Sequence, residues 1–154
     1  MEKILALIPV LEGKIPHFQK VDNRISAASV GWHIAHSFQV IEVILGAVQK
    51  SDPSQYVWSF NGTRLLVFTL GKIPRGKAQA PKAAQPAADF TIESLQEKAK
   101  HVAIKLKELG HLHPNAHFLH PIFGQLNVKL TKKMLKIHTE HHLKIIDDII
   151  KAAI

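Results

Sequence analysis

Cysteine is absent from all 154 residues, which excludes disulfides, thiolate metal ligands and a protein-borne thiol nucleophile, and fits a reducing compartment. Long apolar runs are missing too. None approaches the ~18 residues needed to cross a bilayer, and the opening MEKILALIPVLEGK has neither the apolar length nor the small-residue cleavage site of a signal peptide. These absences predict a soluble, cytoplasmic protein with no membrane association. Aromatics are few, with two Trp and one Tyr, so no base-stacking platform is in view. That weighs against nucleic acid even at a formal net charge of +8, because the lysines and arginines are scattered and no nucleic-acid motif accompanies them. Internal repeats are absent as well.

What is present is the composition of an ordinary globular chain, 46% apolar and 21% charged, long enough for one domain over residues 1–154 with a real core. Apolar residues recur mostly at helical spacing. A short helix is expected over 3–12, interrupted by Pro9. A long one runs from Ser26 to about Gln49 and stops at the SDP of 51–53. The stretch 61–70 reads as helix, with a strand as the alternative because of its β-branched and aromatic content. Residues 74–89, PRGKAQAPKAAQPAAD, have no apolar period and read as a long exposed loop. Thr91 can cap a helix over 92–109, with Glu93 in its first turn and Leu95, Ala99, Val102, Leu106 and Leu109 as its stripe; Gly110 is its expected stop. A His- and Pro-rich connection over 111–128 leads to a last helix over 131–152. The fold class is therefore all-α: an up-down four-helix bundle with an extra short helix and long loops.

The last helix carries HTEHHLKII, with three histidines in five positions. On an ideal helix His138 and His142 lie about 40° apart, in the sector of Leu135, Ile145 and Ile149, and so at the centre of the buried stripe. His141 sits to one side. On the second helix Trp32, Val40, Val43 and Ala47 surround His36, which also points inward, while His33 lies about 60° round from it and is the weaker candidate. Two readings fit. The histidines are satisfied core residues, or His36, His138 and His142 make an N3 site for one divalent ion with positions left for water or substrate. No carboxylate shares their sector. Glu140 lies opposite, so the HExxH pattern is absent, and Asp147 faces away. Any general base must then be metal-bound water or the substrate itself, and no protein residue is assigned as catalytic.

SVGWHIAHSFQVIE followed by KIHTEHHLKII resembles the DinB-like superfamily of four-helix bundles, which includes the YfiT-type proteins and thiol-dependent S-transferases. HPIFG at 120–124 resembles one branch of it. The resemblance implies a metal site on His36, His138 and His142, the three that helical projection selects. It also implies a metal-dependent hydrolase, or an S-transferase using a low-molecular-weight thiol, acting on a small molecule. The chain departs from the transferase pattern in carrying HHLKII where many members have HHRGQ. Alternatives are a non-catalytic metal- or ligand-binding bundle and a dimerisation scaffold. The ion would be zinc or nickel, ahead of iron or manganese.

Two further features bear on partners. Lys72, Arg75, Lys77 and Lys82 form a basic stretch that either receives an anionic substrate or thiol cofactor, with Arg75 as the carboxylate fork, or simply keeps a loop solvated. His120 either lines the pocket mouth or is a turn residue before Pro121; His101, His111, His113 and His117 read as surface or loop. Finally, Ile34, Phe38, Ile41 and Leu45 form a second apolar stripe on the second helix, roughly opposite His36. Segments 59–72 or 111–128 could cover it, or a symmetric partner could, and the expectation is a homodimer.

Overall fold

The structure, a computed structural model, describes residues 2–76, 82–86 and 89–152. It is mostly helical, with one two-stranded sheet. The first helical stretch breaks at Ala6, giving α1 (Glu2–Leu5) and α2 (Leu7–Glu12). Pro9 lies inside α2 rather than at the break. Its missing N–H leaves the carbonyl four residues earlier without a helical donor, so the interruption falls one turn ahead of the proline.

The second long helix, α3, spans Val30–Gln49 and not from Ser26: Ser29 is its N-cap, accepting from the Trp32 N–H at 3.2 Å. Residues 61–70 are helical, the strand alternative losing. Asn61 caps α4 (Gly62–Leu70) and Gly71, at φ +62°, ends it in the left-handed region. Thr91 caps α5 (Ile92–Glu108) in a reciprocal box with Ser94. Its expected stripe, Leu95, Ala99, Val102, Leu106 and Leu109, is fully buried. Gly110 does not stop α5 by adopting a left-handed turn; the chain tightens into a 3-10 turn over Leu109–His111 instead. The last helix, α6, covers Val128–Ala152, ~37 Å at 1.5 Å per residue.

The connection over 111–128 is not all loop. β1 (His117–His120) pairs antiparallel with β2 (Gly124–Asn127), His120 opposite Gly124, and Gly124 supplies the positive φ of +72° that the turn requires. Buried Arg64 of α4 fastens the hairpin, donating to the carbonyls of Phe123 at 3.0 Å, Gln125 at 3.4 Å and, more closely, Ser59.

α3 packs against α5 and α6, and α2 also lies against both, around one hydrophobic cluster. Which face of α3 meets that core differs from the sequence reading. Ile34, Phe38, Ile41 and Leu45 are at most 1% exposed, so the stripe offered to a partner is covered within the chain. Val43 and Ala47, expected inside beside His36, are exposed. A helix apolar almost all round gives no periodicity by which to choose its inner face. The 74–89 loop also departs from expectation, since Lys82–Ala84 forms a 3-10 turn lying against α3.

Candidate metal centre

α3 and α6 bring the three expected histidines together. His36, His138 and His142 each offer a ring nitrogen, and these atoms lie within 4.8 Å of one another. Ring centroids are 4.7 Å apart for His36 and His142, 4.6 Å for His138 and His142, and 5.1 Å for His36 and His138. Donors on one tetrahedral ion are ~3.3 Å apart at bond lengths near 2.0–2.1 Å, so small ring rotations would close the set.

Each ring has a distinct support. The Nδ1 of His36 donates to the Ala84 carbonyl at 2.7 Å, which places its proton there and leaves Nε2 as the free lone pair. Trp32 stacks on the same ring at 4.8 Å and 11°, fixing its plane. His142 meets His33 at 2.9 Å, Nδ1 to Nδ1, so one of the two carries a proton there and the other accepts it. His33 continues through Nε2 to the Ser26 hydroxyl at 3.1 Å. With the shared proton on His142, its Nε2 is left to face an ion. The Nδ1 of His138 is shielded from solvent and has no hydrogen-bond partner among the described residues. That orphan is the strongest sign of fit, because an unpaired buried polar atom costs ~1–3 kcal/mol unless something outside the chain satisfies it.

Electrostatics agree with a neutral, ligating set. Burial lowers His36, and burial together with the neighbouring rings lowers His142 well below the ordinary imidazole value. His138 is pushed down to about 3 by burial first and then by His36 and His141. Imidazoles that resist protonation keep the lone pairs that a cation needs.

The remaining residues sort clearly. His33, the weaker candidate by projection, is buried and touches His142 rather than joining the set; burial first, then His36, lowers it to about 4. His141 stands off the set and lines an adjoining pocket. His120 ends β1 and braces the turn that follows, its Nδ1 accepting from the Ile122 and Phe123 N–H groups at 3.1 and 3.2 Å. His117 belongs to β1. Arg75 bonds Asp148 at 2.8 Å and lines the same pocket as His141 and Lys72, while Lys77 lies outside the described residues. Glu140 is held by Lys136 at 2.7 Å and Asp147 by Lys14 at 2.6 Å, so neither turns toward the triad. Sequence reasoning missed Ser26, His33 and the Ala84 carbonyl as supports. A periodic pattern on one helix carries no signal for what a loop or a facing helix places beside it.

Compared with known proteins, the chain matches no family model, no curated protein and no solved structure. The triad's geometry therefore carries the functional reading.

Proposed function

We propose that the chain is a cytoplasmic, divalent-metal-binding protein on a DinB-like up-down four-helix bundle, with His36, His138 and His142 holding one ion. The observation that carries this reading is the convergence of three imidazole donors, one of which, His138, has an Nδ1 without a hydrogen-bond partner among the described residues. An all-imidazole set suits zinc or nickel, then iron or manganese. A bound ion would supply Lewis acidity or an activated water, the chemistry of a metal-dependent hydrolase or of thiol S-transfer to a small electrophile. The chain's own part is to keep the rings neutral, fix the His36 plane with Trp32 and the Ala84 carbonyl, and brace His142 with His33.

One observation favours the alternative of a binding protein without turnover. The α6 carboxylates nearest the histidine pair, Glu140, Asp147 and Asp148, are each engaged by a cation, so none of these three is free to act as a carboxylate base at the site. Elemental analysis of protein purified without added metal tests the common core of both readings. Near-stoichiometric metal in the wild type and none in a folded His142→Ala variant is the expected result. Equal occupancy in the two proteins would remove the ligand assignment. A screen of thiols and activated electrophiles with metal present then separates enzyme from binder.

A further inference from the structure

Beside the triad lies a pocket of about 270 Å³ lined by Gly71, Lys72, Ile73, Arg75, Ile137, His141 and Lys144. It is at the small end of ligand sites, which run from ~300 Å³ upward. Its lining is one-sided in charge. Three permanent cations and an imidazole meet there, and no carboxylate among the described residues joins them. The nearest acid, Asp148, engages only the Nη2 of Arg75, whose guanidinium has five N–H donors in a planar fork.

The pocket is also built into the fold. Its near wall is the turn after α4, set by the left-handed Gly71, and its far wall is α6. His141 of α6 and Ile73 of the turn face the same space, so the pocket spans the two walls. On its other side the His141 ring packs edge-on against His142 at 5.2 Å. Arg75 is near enough to both His141 and His33 for its charge to disfavour their protonation. Cations and triad therefore share one neighbourhood.

We infer that this pocket is an anion subsite, which takes the carboxylate or phosphate of a small-molecule substrate whose reactive end lies toward the triad. The second half of that statement rests on the metal reading; anion binding itself does not. Lys72 and Lys144 attract and position the anion as point charges, and Arg75 gives it direction through the part of its fork that Asp148 leaves unused.

The test uses metal-free full-length protein and calorimetric titration with inorganic phosphate in one arm and acetate in the other. At least one probe should bind, and the Lys72→Gln/Lys144→Gln double variant should bind it about tenfold or more weakly. Both lysines are exposed, so the variant should keep the wild-type far-ultraviolet spectrum. Tighter phosphate marks a phosphorylated substrate, whereas acetate at least as tight marks a carboxylate. Lys132→Gln is the control: Lys132 lines the adjoining lysine-rich groove with Lys129 and Lys133, which meets the pocket at Gly71 and Ile137, but is not in the pocket's lining, and its loss should leave the pocket's affinity unchanged. Failure of both probes to bind, or equal weakening by Lys132→Gln and the double variant, overturns the subsite. A chain that binds a probe here but no metal overturns the triad reading alone, and one that binds metal but neither probe overturns the subsite alone. Zinc added to the wild type should tighten phosphate, because a cation nearby adds attraction; unchanged affinity would remove the placement toward the triad.

Discussion

His33 and His142 share one proton across 2.9 Å, and a brace of this kind ordinarily changes metal affinity by ~10–100-fold without being a ligand. His33→Ala should therefore retain the ion but yield it to a chelator about tenfold more readily than the wild type. Complete loss of metal would make His33 a ligand after all. The protonation chemistry gives a second expectation. His33 and His138 are held at about 4 and about 3 in the fold, against ~6.5 in an unfolded chain. Between those values the unfolded chain binds protons that the folded one refuses, so stability falls as pH falls, by up to ~1.4 kcal/mol per unit for each ring. Above ~6.5 both states are neutral and the effect vanishes. The melting temperature of metal-free protein should thus be level near neutrality and decline steadily below about pH 6.5, and the loaded protein should release its ion over the same acid range. A flat profile would mean the rings titrate in the fold as they do in the unfolded chain. At this scale the sequence was informative about ligands, since the i, i+4 pair on α6 and the inward His36 are properties of single helices. It offered His33 only as a weaker candidate ligand, because its part as a brace depends on how α3 is rotated against α6.

Elements were legible where a cap or a breaker is written locally. Asn61 before α4, Thr91 before α5 and Gly71 after α4 each act through a hydrogen bond or a backbone angle within a few residues. The hairpin was not legible. HFLH and GQLN show little alternation, and beyond the Phe118–Leu126 pair their supports are Arg64, α3 and α6, which lie far off in sequence. Arg64→Met should test that dependence. Removing a buried donor to three carbonyls should cost about 2–4 kcal/mol in denaturant unfolding, and a cost under ~0.5 kcal/mol would show that the hairpin holds without it. The start of α3 is similarly constrained. Gly31 donates to the Phe18 carbonyl at 2.8 Å, and a Cβ there would lie 3.0 Å from that oxygen and closer still to the Phe90 ring. Gly31→Ala should destabilise by about 1–3 kcal/mol and, by shifting the turn that carries His33 and His36, weaken metal binding as well. Unchanged stability and affinity would show that the first turn can yield.

For the whole molecule, periodicity and composition yield the helical class but not the rotation of α3, the element that meets α5 and α6 together. Among the described helices, none is long and apolar enough to cross a membrane. A homodimer would need another surface than the one expected, because Ile34, Phe38, Ile41 and Leu45 are consumed by the core. One candidate is the run of exposed apolar side chains Val57, Trp58, Phe60, Leu65, Leu66 and Leu70, at 58–72% accessibility. If two copies associate through them, Trp58→Ser with Phe60→Ser should reduce the mass seen by light scattering from dimer to monomer at micromolar concentration. A monomeric wild type would remove the homodimer expected from the sequence.

The bond from His36 to the Ala84 carbonyl has a consequence for how such a site can vary. Its acceptor belongs to the main chain, so replacing the Ala84 side chain leaves it in place, and a scan of side-chain truncations through 82–86 would pass over it. Comparison of related sequences would pass over it too, because the requirement falls on the course of the chain rather than on any residue type. Only a change of course, by shortening the loop or by an ester in place of the amide that carries this carbonyl, would reach it. The turn over Lys82–Ala84 is therefore constrained by its length as well as by the small Ala84 side chain that packs against the core.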